Sequence, residues 1–520
     1  MISGKIHDLI DKALESVGIG DRDFVVEYPL DLKNGDYSTN VAMKYPKEKE
    51  SILEAIKKNL PKEIEKVEMV GPGFINFYLS RDFFIESLEK VVEKGGDFGK
   101  NESAKGEKTI VEYTDPNPFK EFHIGHLMSN AIGEAVSRIV EWSGSEVKRF
   151  CFQGDVGIHV AKAIWGMLKG EKDPYPAGAK AYEESEEVKG EIQEINKKIY
   201  DRSDEEVNKL YDKGREESLS EFEKIYKKLD TKFDHFVFES ETGGVGEKIV
   251  RDNIGKVFEE SEGAVVFKGS HTRVFINSQG LPTYEAKDLG NAKRKAELYP
   301  YTKSLVVTGN EIKEYFKVVL ESMKRVPELA KYAESTIHLP HGMLRLPSGK
   351  MSSRTGDVIT AESLIREVQS RVKGDEAVAI GAIKYMILRQ AIGNDIVFDL
   401  DKSVSIEGDS GVYLQYTYAR SCSVLEKSSL AQSSLDDTGE KRHEIERLLY
   451  RFPEVVERAG REFSPHYITT YLTALASSFN NFYAHEEILG NPYRELVTRA
   501  FNIVMKNGLH LLAIPSPERV

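Results

Sequence analysis

Two histidines stand three residues apart, His123 and His126, with Ile124 and Gly125 between them, in the stretch FKEFHIGHLMSNAIGEA at 119–135. Apolar residues at helical spacing follow, so the pair opens a helix. A helix N-terminus exposes N–H groups and the positive end of the dipole, and phosphate binds there. Gly125 lets a ligand approach the backbone closely. Two imidazole donors on one side of the first turn can hold a triphosphate and stabilise charge as its α-phosphorus is attacked. Alone, the spacing says little, because most helix histidines are structural. A second stretch, GKMSSRTGDVIT at 349–360, is rich in glycine, serine and basic residues. It predicts a mobile loop whose Lys350 and Arg354 can close on a phosphate chain, or else an ordinary surface turn.

The elements around these residues have a recognisable order. TIVEYT at 109–114 predicts a buried strand, broken by DPNPF and followed by the helix after His126. SEVKRFCFQGDVG and KSLVVTGNE predict further strands ending in glycine turns. Strand, turn and helix in repetition predict an α/β domain with a parallel sheet and ligands at the strand ends. Residues 1–100 read as a separate α+β module. An amphipathic helix opens it, DFVVEYPL predicts a strand, NGDYSTN a turn-rich stretch, 49–60 a helix and GFINFYLS a strand. The glycine-rich, charged stretch 93–108 reads as a linker. Residues 169–234 are dense in Glu and Lys, with Ile192, Ile195 and Ile199 on one stripe and Phe222, Ile225, Tyr226 and Leu229 on another. They predict an inserted helical segment with solvated outer faces. Beyond about 375 the spacing is helical to the end and predicts an all-α bundle. The expected division is 1–100, 101–345 with the insertion, 346–403 as signature-loop and connecting region, and 404–520.

Composition bounds the partners. The chain has 520 residues, 40% hydrophobic and 30% charged, which suits several soluble domains. No apolar run of membrane length occurs, and the N-terminal stretch has helical spacing with charges between rather than a signal-peptide pattern. The two cysteines, Cys151 and Cys422, make neither a disulfide framework nor a structural zinc site, and fit a reducing cytoplasm. The net charge of −13 argues against a general nucleic-acid coat, although a local basic groove remains compatible with it.

Together HIGH and KMSSR resemble the two signature motifs of class I aminoacyl-tRNA synthetases. VEYTDPNPFKEFHIGHL, FQGDVGIH, LPTYEAKDLGNAKRK, GMLRLPSGKMSSRTGDVIT and VYLQYTYARSCSVL narrow the resemblance to arginyl-tRNA synthetases, as do NGDYSTNVAMK, GPGFINFYLS and the terminal NGLHLLAIPSPERV. The resemblance spans nearly the whole chain, and 169–234 is its least distinctive part. It implies a Rossmann-type parallel-sheet catalytic domain, an N-terminal domain touching the tRNA elbow and a C-terminal helical anticodon-binding domain. It also implies arginine activation by ATP and arginyl transfer to the 3′ end of tRNA(Arg), with Mg2+ as the ATP counter-ion and a monomer as the default.

Residue by residue, the resemblance assigns His123, His126, Lys350 and Arg354 to the phosphates and the transition state. The loop departs from the class pattern, since Ser353 replaces its second lysine; Lys120, just before the first histidine, stands where the family compensates. Gly125, His341, Gly342, Met351 and Ser352 fall on the ATP side. Glu112, Asn117, Tyr284 and Asp288 fall on the arginine side. There a carboxylate suits the planar donor fork of a guanidinium. Glu311 or a neighbour stands where many relatives have glutamine. Asp155, Gly157 and His159 form a turn placed near the substrate and the tRNA end. Phe74 and Asn76 are assigned to the tRNA elbow, Tyr416 and Arg420 to anticodon bases. No metal-ligand set and no editing domain are expected. A sibling class I synthetase, a small-molecule nucleotidylyltransferase and a non-catalytic synthetase-like RNA-binding protein are the alternatives. Each would lack one of these features: the arginine-type N-terminal module, the KMSSR loop with its tyrosine-rich bundle, or an intact signature.

Overall fold

A computed structural model describes residues 1–29, 31–345, 347, 359–428 and 442–519. Helix Ile2–Ser16 buries Ile2, Ile6, Leu9, Ile10, Ala13 and Leu14 in the core of a four-stranded antiparallel sheet. Its strands are β1 (Val26–Glu27), β2 (Tyr37–Thr39), β3 (Ile64–Val70) and β4 (Phe74–Leu79), in the order β1-β2-β4-β3. Two sequence expectations change here. DFVVEYPL yields only the two residues of β1, and NGDYSTN holds β2, whose three residues are all buried. β2 forms because it pairs with residues 75–77 of β4, a partner that local turn propensity cannot register.

The stretch 93–108 is not a solvent-spanning linker. Helix Arg81–Lys94 runs into it, Phe98 joins the main core, and Asn507 Nδ2 donates to Gly95 O and Phe98 O, both at 3.0 Å. The N-terminal module is fastened to the C-terminal helices elsewhere too. Glu454 accepts from Ser3 Oγ at 2.5 Å and from the Tyr28 hydroxyl, while Arg447 pairs with the buried Asp36 at 2.9 Å.

The central sheet is five-stranded and parallel. It consists of β5 (Lys108–Glu112), β6 (Glu146–Gln153), β7 (His235–Phe238), β11 (Lys303–Gly309) and β12 (Thr336–His341), in the order β12-β11-β5-β6-β7. The chain runs outward from β5 through β6 and β7 on one side and through β11 and β12 on the other. The C-terminal ends of β5 and β11 therefore flank a topological switch point, where such sheets open a cleft. A separate antiparallel sheet, β8 (Glu259–Ser261), β9 (Ala264–Lys268) and β10 (Thr272–Ile276), lies between β7 and β11 in the chain; the sequence pattern did not disclose it.

Helices Pro174–Glu184, Glu186–Asp201 and Glu205–Lys228 fill the insertion. Ile192, Ile195 and Ile199 are buried in a small core with Val160 and Ile164, while Phe222, Tyr226 and Leu229 belong to the main core. Among the described residues beyond about 375 the chain is mostly helical, as expected. EIERLLYRFPEVVERAG forms two helices, Glu444–Leu449 and Phe452–Arg461, because Pro453 supplies no N–H and fits only the first turn of a new helix. Among the described residues no helix is long and apolar enough to cross a membrane.

Candidate active site

The chain leaves β5 through a tense bend. Thr114, Asp115 and Phe119 all have positive φ, at 81°, 45° and 68°. Each such non-glycine residue costs roughly 1–3 kcal/mol and persists only when its surroundings hold it. They do. Thr114 N donates to Ser129 Oγ at 2.9 Å, Phe152 N donates to Asp115 Oδ1 at 2.7 Å, and Phe119 N donates to Ser218 Oγ at 2.9 Å. The bend delivers Asn117, Lys120 and His123 to the switch point.

His123 caps helix Ile124–Trp142. Its Nδ1 accepts from Gly125 N at 3.1 Å and His126 N at 3.4 Å, while His123 N donates to His126 Nδ1 at 3.2 Å. The two rings stack with centroids 3.6 Å apart. Ile124 N is also engaged, donating to Ile359 O at 3.3 Å. The expectation of unoccupied N–H groups at this helix end is thus corrected, because the first-turn amides of 124–126 are bonded within the chain. What the cap leaves over is the other nitrogen of each ring. Burial, reinforced by Lys120, holds both imidazoles below their ordinary pKa, His126 well below, so they are neutral. Since Nδ1 of each ring accepts, the ring proton sits on Nε2, and each histidine offers one N–H donor. The residues after the signature loop are stitched to this turn, with Ala361 N donating to Phe122 O at 2.8 Å and a bridge between His123 and Thr360. Lys350, Met351, Ser352 and Arg354 lie outside the described residues.

The opposite wall is built on two helices, Glu239–Asp252 and Tyr284–Leu298. Tyr284 and Asp288 lie one turn apart on the second, as their spacing predicts. The Tyr315 hydroxyl donates to Asp288 Oδ2, and Asp288 is pushed up to about 7, chiefly by burial. Glu112, at the end of β5, is buried and committed to Lys295 at 3.0 Å and Asn291 at 2.9 Å, so it ties the sheet to this helix. The sequence reading missed Glu239. It is buried and paired with the buried Lys287 at 2.6 Å, and it shares the space above Gly154 with Asn117. A Cβ at residue 154 would lie 2.2 Å from Asn117 Oδ1 and 3.2 Å from Glu239 Oε1. No local pattern in FESETGG marks Glu239, because its partners lie far away in the chain. Lys120 sits 5.1 Å from the ring centre of Tyr175, from the insertion, and burial lowers its pKa.

On the side expected to take the nucleotide, Glu311 folds back over Gly309, and its charge acts on His123 and His341. That places it on the histidine side of the cleft. His341 is buried at the end of β12 with Nδ1 donating to Gly342 O at 2.7 Å, and Gly342 N donates to Ile392 O at 3.0 Å. His159 Nε2 donates to Gly154 O at 2.8 Å, and burial with the nearby Lys120 pushes this histidine down to about 3. Asp155 is fully buried and accepts from Tyr211, Arg215 and Ser240, which anchors the insertion to the sheet.

Three family models match the chain in order. They are Arginyl tRNA synthetase N terminal domain over 4–79, tRNA synthetases class I (R), catalytic domain over 87–400, and DALR anticodon binding domain over 414–520. The chain belongs to the class I arginyl-tRNA synthetase family. The arginine–tRNA ligase of Halothermothrix orenii is 30% identical over 565 residues and is covered, like this chain, to 99%. That of Fusobacterium nucleatum is 31% identical over 534 residues, with 92% of each covered. The Thermus thermophilus arginyl-tRNA synthetase structure superposes with a TM-score of 0.81 at 23% identity over the full length of both chains, a likeness of fold.

Within this synthetase architecture the expected RNA-contacting residues are placed as follows. Phe74 is half-buried on β4. Asn76 is buried rather than alternating outward, with Ser38 Oγ donating to its Oδ1 at 2.8 Å. Tyr416 and Arg420 share a face of helix Gly411–Glu426. The Arg420 guanidinium lies 5.0 Å from the ring centre of Tyr416 and 5.1 Å from that of Tyr483, and it donates to Asn480. They line an open groove of about 690 Å³ with Lys427, Leu489 and Arg519.

Proposed function

We propose that this chain, as an arginine–tRNA ligase, divides its chemistry between the two walls of the switch-point cleft. One oxygen of the arginine carboxylate attacks the α-phosphorus of ATP, and the bond to the bridging oxygen breaks with release of pyrophosphate. The 3′-terminal hydroxyl of tRNA(Arg) then attacks the arginyl carbonyl and AMP leaves. Little covalent chemistry falls to the protein, so placement and charge stabilisation carry the rate. The Nε2–H groups of His123 and His126 meet the phosphates and the charge that grows on them. Lys120 reinforces them from the bend, with Lys350 and Arg354 closing from the signature loop. Asp288, with Tyr284, takes the guanidinium, and Asn117 the backbone groups of the amino acid. Glu239, paired with Lys287, stands beside Asn117. Magnesium would enter with ATP, held mainly by its phosphate oxygens. The tyrosine–arginine groove of the C-terminal bundle suits stacking of unpaired anticodon bases. A monomer working in the cytoplasm fits this reading.

The observation that carries the reading is the histidine pair capping helix Ile124–Trp142 just after β5, at the switch point of the parallel sheet. The test is ATP–pyrophosphate exchange with each of the twenty amino acids, with and without total tRNA. Arginine alone should support exchange, and only when tRNA is present. Exchange with a different amino acid would overturn the assignment of Tyr284 and Asp288.

A further inference from the structure

Asp288 does not stand alone on its helix. Tyr315, near the start of helix Lys313–Arg325, donates its hydroxyl to Asp288 Oδ2. Tyr315 is itself braced from the side. The guanidinium carbon of Arg273, on β10, lies 5.4 Å from the Tyr315 ring centre, and Arg273 is held 3.4 Å from Glu285. Glu285 is buried on the helix that carries Asp288. The contacts form a loop that starts at Glu285, passes through the antiparallel sheet and Tyr315, and returns to the same helix three residues on.

An aspartate carboxylate turns easily, since its terminal torsion is broad. A guanidinium recognises a carboxylate through coplanar N–H···O bonds, so carboxylate orientation decides affinity. A hydroxyl fixed on Oδ2 sets that plane and leaves Oδ1 for an incoming donor. We propose that Tyr315 is a positioning residue for amino-acid selection, holding the Asp288 carboxylate in the plane a guanidinium requires, with Arg273 as its brace. This rests on the reading of Asp288 as the guanidinium acceptor. It also gives the β8–β10 sheet a part in selecting arginine.

The charges around Asp288 make the role measurable. Glu112 on β5 and Glu239 on the facing helix oppose its ionisation, while Lys295 on its own helix and the Tyr315 hydroxyl favour it; Asp115, in the bend after β5, is a further acid, whose own ionisation Asp288 opposes. Guanidinium binding needs the ionised form. With the folded value near 7, kcat/KM for arginine should fall as pH drops below about 7. Removing the hydroxyl removes a contribution that favours the charged form, so this acid limb moves to higher pH.

The experiment compares Tyr315→Phe, Arg273→Met and Asp288→Asn in tRNA charging, with KM for arginine and for ATP measured between about pH 6 and pH 9. Tyr315→Phe should raise the arginine KM roughly tenfold, leave the ATP KM unchanged and shift the acid limb upward. Arg273→Met should act in the same direction and less strongly. The inference is overturned if Asp288→Asn raises the arginine KM while Tyr315→Phe leaves both that KM and the limb in place. It is also overturned if Tyr315→Phe changes the arginine and ATP KM values equally, since that marks a general structural role. If Asp288→Asn leaves the arginine KM unchanged, the acceptor reading itself fails and takes this inference with it.

Discussion

His123 and His126 each spend one ring nitrogen on the helix cap and keep the other. Nδ1 closes the helix cap, and Nε2–H is left pointing away from it. The cap fixes both ring orientation and tautomer, so the donors are in place before substrate arrives, which is where electrostatic stabilisation gains its strength. Burial keeps the rings neutral, and Lys120 discourages protonation further. In the proposed reaction they therefore serve as donors and not as acids or bases that titrate near neutrality. His126→Ala should lower arginine-dependent exchange by about 10²–10³-fold with little change in arginine KM, a loss expected when a transition-state donor is removed. The measurement is exchange rate against arginine concentration at fixed ATP and tRNA. A large rise in arginine KM with an unchanged maximal rate would place His126 on the amino-acid side instead.

The two helices of the acidic wall approach each other through glycines. A Cβ at Gly246 would lie 1.8 Å from Ala286 O, and one at Gly290 would lie 2.1 Å from Thr242 O. No side chain fits between these backbones. Gly246→Ala should therefore push helix Glu239–Asp252 away from helix Tyr284–Leu298 and destabilise the chain by about 1–3 kcal/mol. Glu239 rides on one helix and Asp288 on the other, so the arginine KM should rise while the ATP KM holds. Urea unfolding and the two KM values check this, and an unchanged arginine KM would show that the wall tolerates the shift. Such close approaches also explain what could be read from the sequence and what could not. Short apolar runs ending in glycine or proline turns located β5, β6 and β11, and helical spacing located the helices of 375–520. The signature residues around His123 and the pair Tyr284 and Asp288 are singled out by the resemblance of their short local motifs to the family, and spacing alone accounts only for Tyr284 and Asp288 lying one turn apart on a helix. Glu239, the strand β2 and the packing of Phe98 were not legible, because each depends on a partner remote in sequence: Lys287, residues 75–77 and Asn507 respectively. The first-turn amides were misjudged because those of Gly125 and His126 are capped by the His123 ring itself and that of Ile124 by Ile359 O, remote in the chain.

At the scale of the molecule, three regions meet on one buried amine. Lys384, on helix Glu376–Leu388, is fully buried and donates to Leu229 O at 2.6 Å, at the end of the insertion, and to Ala513 O at 2.7 Å, after the last helix of the bundle. Beside it Arg138, on the helix that His123 caps, donates to Asp230 O at 2.8 Å and His510 O at 3.0 Å. Burial, with Arg138 nearby, pushes Lys384 down to about 7. A neutral amine has two N–H groups, and two carbonyls face it, so both are satisfied without a charge. The folded value lies below the ordinary 10.5, so the unfolded chain binds the extra proton between about pH 7 and pH 10.5. This contribution to stability is complete above that window and is lost as pH falls through about 7. Lys384→Met would leave the two carbonyls without a donor and should destabilise the chain by about 2–4 kcal/mol. Its deficit relative to the parent should widen as pH rises from about 7 to about 9, because the variant lacks the titrating group. Urea unfolding of both proteins across that range checks the sign. A deficit that shrinks with rising pH would mean that Lys384 is charged in the folded chain and that an acidic group, such as Asp230 or Glu134, balances it at the junction.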